Sequence, residues 1–276
     1  MDGRTVLITG ATDGIGRGTA MELARRGATV LLHGRNNARL VATRDEIAAA
    51  TGGAPPETYL ADFASLAEIR RLAAEVGAAH PVLHILINNA GIGRGADGGK
   101  VREVSAEGHE LRFQVNHLAA LLLSRLLLDN LRRAAPGRII NVSSAGQMAI
   151  DFDDPMIEQD YNGRRAYCQS KLAMVMATFE LARRTDPGDV TVNALHPGSL
   201  LDTKMVREGF GAPMGPVQTG IDSEIYLATS PELDGVSGAY FDCQHRARAD
   251  AQAYDDAACQ KLWDLSERLT GLLSHG

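Results

Sequence analysis

Short runs of apolar and β-branched residues recur along the chain. Each is followed by turn residues and then by a longer stretch with apolar positions at helical spacing. The runs Thr5–Thr9, Thr29–His33, Glu57–Leu60, Leu83–Asn88, Arg138–Ser143, Val190–Leu195 and Ala239–Asp242 predict strands. Most are continuously apolar, the pattern of parallel strands covered on both faces. The stretches Gly14–Arg26, Ala38–Ala50, Leu66–Ala78, Glu107–Arg133 and Arg165–Arg184 predict helices. Strand–helix alternation implies an α/β fold: an open, doubly wound parallel sheet with right-handed crossovers, helices on both faces and three layers. No repeat, low-complexity tract or Pro/Ser-rich linker divides residues 1–276, so they read as a single domain.

Two irregular stretches, about residues 145–165 and 199–220, break the alternation. The first is acidic and turn-rich (Asp151, Asp153, Asp154, Glu158, Asp160); the second carries Gly209, Gly211, Pro213, Gly215 and Pro216. Both follow a strand, and ligands of open sheets sit beyond the carboxyl ends of the strands, so these read as substrate loops. Their large apolar residues, Phe152, Met156, Met205, Phe210 and Met214, point to an apolar or mixed substrate.

Composition narrows the function classes. Of 276 residues, 45% are hydrophobic and 22% charged, which is ordinary for a globular protein. Lys plus Arg total 28 against 34 Asp plus Glu, a formal charge of -6, so nothing favours a grip on nucleic acid. Cys168, Cys243 and Cys259 form no paired metal motif and leave one over if two bond, which fits a reducing, cytoplasmic setting. Nothing at the amino terminus reads as a signal peptide. The longest apolar stretch, Leu118 to Leu128, is about half of the ~20 residues a membrane span needs. A soluble protein without membrane contact is expected.

The turn after the first strand holds Gly10, Thr12, Asp13, Gly14, Ile15 and Gly16 and opens the first helix. Glycines there let a pyrophosphate approach the amide groups, and the helix start supplies free N–H donors and partial positive charge. About 20 residues on, where an NAD site wants a carboxylate for the ribose, stands His33-Gly34-Arg35-Asn36-Asn37. Arg35 offers a donor fork suited to a 2′-phosphate instead, so NADP(H) is the expected cofactor.

Thr9-Gly10-Ala11-Thr12-Asp13-Gly14-Ile15-Gly16, Asn88-Asn89-Ala90-Gly91, Asn116, Ser143-Ser144, Tyr167-Cys168-Gln169-Ser170-Lys171 and His196-Pro197-Gly198 occur in this order. In that order they resemble the short-chain dehydrogenases/reductases, which have a Rossmann fold. Ala166–Ala173, Pro216–Gly220 and the tail Leu262–Glu267 look like the retinol-dehydrogenase-like branch, without the amino-terminal anchor several animal members carry. The resemblance implies that Asn89, Ala90, Gly91, Pro197 and Gly198 line the cofactor site. It also implies that Asp62 and Phe63 contact the adenine, and that Lys171 donates to the nicotinamide ribose. Asn116 would hold a water linking Lys171 to solvent, and copies of the chain would pair as a homodimer or homotetramer. Thr203 stands one residue later than the family's nicotinamide-contacting threonine.

The residues also make chemical sense unaided. Tyr167 and Lys171 stand four apart on a helix and share a face. A neighbouring ammonium lowers the pKa of a phenol towards a useful range for proton transfer. Ser143 and Ser144 end a strand, where a hydroxyl can hydrogen-bond a substrate oxygen as charge develops on it. The resemblance implies that Ser144 is the catalytic one and Ser143 its neighbour. His80 and His84 flank Pro81 and form no ligand pair, His117 reads as a packed neighbour of Asn116, and no metal is required. Together these predict hydride exchange between the nicotinamide and a ketone or aldehyde, with Tyr167 as general acid/base. The competing readings are a non-catalytic NADP(H)-binding sensor or scaffold on this fold, and an epimerase of the family.

Overall fold

A computed structural model of the chain describes residues 1–95 and 99–272. Among them, eight strands form one sheet in the order β3-β2-β1-β4-β5-β6-β7-β8. These are β1 (Thr5–Ile8), β2 (Thr29–Gly34), β3 (Glu57–Leu60), β4 (Ile85–Asn88), β5 (Gly137–Val142), β6 (Val190–His196), β7 (Tyr240–Asp242) and β8 (His245–Ala247). All neighbours are parallel except β7 and β8. Strand order reverses between β1 and β4, opening a crevice at their carboxyl ends where such sheets take ligands.

Continuous apolar runs arise because both faces are covered. From β1, Val6 and Ile8 pack with Leu23 of α1 (Gly14–Arg25), Leu40 of α2 (Asn37–Thr51) and Ile225 of the helix following β6. Leu7 points the other way, into a cluster with Ile69 and Leu72 of α3 (Leu66–Ala79). Side-chain caps start the helices: Asp13 for α1, Asn36 for α2 and Ser65 for α3.

The long helix expected over 107–133 is interrupted. It comprises α4 (Leu111–Phe113), a π-helical turn (Gln114–Leu118), α5 (Ala119–Leu126) and α6 (Leu128–Arg132). The helix expected from Arg165 is α7 (Gly163–Arg183), capped by Asn162. The second irregular stretch folds around a short α8 (Lys204–Gly209) and leads into α9 (Val217–Thr229). The last helix, α10 (Asp256–Thr270), lies across α7 and the π turn, burying Cys259, Leu262 and Trp263. His117 is core, with its Nε2 on the Ser266 hydroxyl at 2.8 Å, and Arg125 pairs with Glu267 at 2.6 Å. No helix among the described residues is long and apolar enough to cross a membrane.

Candidate active site

The glycine-rich turn leaves β1 at the switch point. Gly10 and Gly14 have φ of +67° and +50°, conformations a side chain resists. A Cβ on Gly16 would run into the Asn89 amide and approach Gly10 O to 2.6 Å, so only glycine lets the turn close there. The Asn89 amide donates to Thr9 O (2.8 Å) and Gly10 O (3.2 Å), and Ala90 N donates to the Thr9 hydroxyl (2.9 Å). The Asn89-Ala90 segment is thus stitched to the turn. Asp13 caps α1 by accepting from Gly14 N at 2.7 Å, and Thr12 packs against Gly34.

His33 does something its sequence position did not reveal. Its Nδ1 accepts from Gly10 N at 3.3 Å, so the other nitrogen carries the proton and donates to Ala61 O at 3.1 Å. Burial holds its pKa down at about 4, so the ring is a neutral strut between the glycine turn and the end of β3. Phe63 stacks on it, with centroids 4.3 Å apart, and is 5% exposed. The Phe63 ring is therefore packing rather than a face offered to an adenine. Asp62 stays exposed and accepts from Ala64 N at 2.9 Å.

Arg35 is exposed at the end of β2, with no hydrogen bond or ion pair among the described residues and no carboxylate in its own segment. Arg39, one turn into α2, pairs with Asp13 at 3.6 Å and adds a second guanidinium at this rim. Thr203 reaches the same turn from the other side. It caps α8, and its methyl lies 3.3 Å from where a Cβ on Gly14 would be. Pro197 and the positive-φ Gly198 follow β6, with His196 Nε2 against the Ser199 hydroxyl at 3.1 Å.

At the ends of β4 and β5 the structure brings together Gly91, Asn116, Ser144, Tyr167 and Lys171. Lys171 is pinned twice by the end of β5: its Nζ donates to Val142 O, and its own carbonyl accepts from the Ser143 hydroxyl, both at 2.8 Å. It is 4% exposed, has no carboxylate partner among the described residues, and burial lowers its pKa to about 8. A Cβ on Gly91 would sit 3.4 Å from Lys171 Nζ and 3.2 Å from Asn116 Oδ1, so this glycine keeps the floor between them open. The π turn widens the helix at Asn116, a device frequent at functional sites. Asn116 Oδ1 accepts from Ile92 N (2.8 Å), and Nδ2 donates to Ile92 O (3.1 Å) and the Ser170 hydroxyl (2.9 Å).

One expectation is corrected here. The Lys171 ammonium was to lower the Tyr167 pKa, yet Nζ lies 6.0 Å from the ring centroid and burial raises that pKa. The opposing pull comes from a hydrogen bond with the Ser144 hydroxyl, which also accepts from Gly146 N at 3.0 Å. Desolvation outweighs that pull and holds the Tyr167 pKa above the ordinary phenol range. Phe210, named from sequence in the second substrate loop, meets the Tyr167 ring edge-on at 5.3 Å. Tyr240 escaped sequence reasoning; its hydroxyl donates to Ser144 O at 3.0 Å.

A dinucleotide crevice joined to a Ser–Tyr–Lys group at the end of a parallel sheet defines an oxidoreductase of the short-chain type. The short chain dehydrogenase family profile matches residues 4–211, and the chain belongs to that family. Human retinol dehydrogenase 13 is 40% identical over 288 residues, covering 98% of this chain and 85% of that protein. Human retinol dehydrogenase 14 is 40% identical over 303 residues, covering 99% and 88%. Among solved structures, a Mycobacterium paratuberculosis protein superposes with a TM-score of 0.78 at 30% identity, covering 98% of this chain and 94% of its own. A short chain dehydrogenase of Escherichia coli CFT073, complexed with NADPH, gives a TM-score of 0.71 at 27% identity, covering 88% and 98%.

Proposed function

We propose that this chain is an NADP(H)-dependent enzyme that interconverts a small-molecule ketone or aldehyde with its alcohol. The observation that carries the reading is Lys171: a buried amine with one hydrogen bond and no counter-charge among the described residues, beside Tyr167 and Ser144. Unfilled donors on a buried ammonium require oxygen ligands, and the ribose hydroxyls of a dinucleotide are such ligands. The glycine turn with Asn89, Ala90 and Gly91, the Pro197-Gly198 turn, and Arg35 on a 2′-phosphate would hold the rest. The bound cofactor supplies the hydride, which no side chain here can provide.

The other tasks fall to the chain. In reduction, Tyr167 donates its proton to the substrate oxygen, and the burial that raises its pKa keeps that proton available at neutral pH. Ser144 hydrogen-bonds the same oxygen and helps hold the charge that develops on it. Lys171, with Asn116, then returns a proton to the phenolate left behind. Asn116 fixes the Ile92 turn and keeps one acceptor position on Oδ1 for a water that returns the proton. Oxidation runs the same path backwards with Tyr167 as base, and the phosphorylated cofactor points to reduction as the usual direction. Arg35 together with the E. coli NADPH complex supports NADP(H), and the free cysteines fit a cytoplasmic setting.

The test is fluorescence titration with NADPH, followed by absorbance loss with a panel of carbonyl compounds, for the parent chain and Tyr167→Phe. The variant is expected to bind NADPH as the parent does and to turn over about 10²–10⁴-fold more slowly. Near-parental rates in Tyr167→Phe would remove the tyrosine from its role.

A further inference from the structure

The lobe over residues 203–213 is fastened differently at its two ends. Its base is held by backbone pairing: Asp202 N donates to Gly215 O (2.9 Å), Met214 N to Leu200 O (2.8 Å), and Leu201 bridges Gly215. Its tip is held by side chains. Arg94, on the loop after β4, donates from Nε to Gly209 O and lays its guanidinium over the Phe210 ring, 5.2 Å from the centroid. Gly93 makes room for this, since a Cβ there would come within 3.1 Å of Met205 Cγ and 3.2 Å of the Phe210 ring. Phe210 in turn stands edge-on against Tyr167, which is 8% exposed. Behind the phenol ring, the position of a Cβ on Gly146 is 3.6 Å away. Phe210 thus covers part of the phenol that a molecule reaching the Tyr167 hydroxyl would approach.

We propose that Arg94 and Phe210 form a latch that closes this lobe on Tyr167, and that Phe210 selects the substrate by giving up its place on the phenol ring to an apolar group. The proposal rests on the functional reading above and deepens it. The base pairing acts as the pivot, so opening breaks only the interactions at the tip. Met205 and the displaced Phe210 then form the wall against which the substrate's carbon skeleton packs. Carbonyl compounds with a bulky apolar group gain that wall, whereas small polar ones open the latch and put no comparable packing in its place.

Two arms test this. Trypsin cleavage after Lys204 and Arg207, both exposed on the lobe, reads opening without any substrate. Arg94→Ala is expected to be cut roughly tenfold faster there than the parent. The ratio of kcat/KM for a bulky apolar carbonyl over a small one reads selection. It is expected to fall about tenfold or more in Phe210→Ala and less in Phe210→Leu, with NADPH affinity unchanged. Parental cleavage rates in Arg94→Ala, or a parental ratio in both Phe210 variants, overturn the proposal. A parent chain that reduces no carbonyl compound sinks the functional reading and the Phe210 half with it, while trypsin still decides the latch.

Discussion

Lys171 concentrates the site's chemistry in one amine. Because burial lowers its pKa to about 8, the charged form persists below that pH and is lost above it. The pH profile of kcat/KM, which reports the free enzyme, should therefore show an alkaline limb near pH 8. Lys171→Arg, charged throughout that range, should abolish the limb in whatever activity it retains. A profile flat to pH 10 in the parent would contradict this. The spacing of Tyr167 and Lys171 was legible in the sequence because four residues on a helix always share a face. The direction of the Tyr167 shift was not, since it depends on how deeply the ring is buried. Sequence also placed Arg35 correctly at the end of β2 but could not show that His33, two residues earlier, props up the glycine turn.

Among the elements, the α1–α9 contact contains a group with no role in the chemistry. Glu224 of α9 is fully buried, and neither of its oxygens has a partner among the described residues. Burial raises its pKa from 4.5 to about 8, against a weaker pull from Thr19 of α1. Below pH 4.5 the folded and unfolded chains both keep this proton. Between there and about 8 only the folded chain keeps it, so the group's contribution to stability falls as pH rises and levels off above 8. Glu224→Gln should remove that slope, its melting temperature gaining on the parent's steadily from pH 5 to 8; parallel curves would refute the assignment. Elements with strong apolar patterns were readable in advance, as with β1 and β6. Three were not, for separate reasons. The His245–Ala247 strand is short and polar, α8 lies between glycines and prolines, and the π turn around Asn116 differs from an α-helix by one residue and not by composition.

For the molecule as a whole, α10 acts as a strap. Trp263 is 3% exposed, with Arg184 and Arg125 over its ring at 4.5 and 5.1 Å, and it joins a core that includes Leu122 of α5 and Leu181 of α7. Trp263→Ala should lower unfolding stability by about 3–5 kcal/mol. It would be read as a lower urea midpoint at unchanged slope, and a shift of a few tenths would mean the strap is dispensable. The apolar run from Leu118 to Leu128 is core on this side, because the chain's own tail covers it. Pairings across such distances, like Phe210 with Tyr167, leave no local trace in a sequence.

The outermost strand, β8, has a bearing on solubility. A parallel sheet ending at β7 would expose a bare row of amides and carbonyls, the kind of margin onto which stray chains accrete. Here the margin is three residues long and carries His245 and Arg246 turned to water, so an intruding strand finds little backbone to grasp and a cation in its way. The hairpin thereby makes this edge of the sheet a poor template for an added strand.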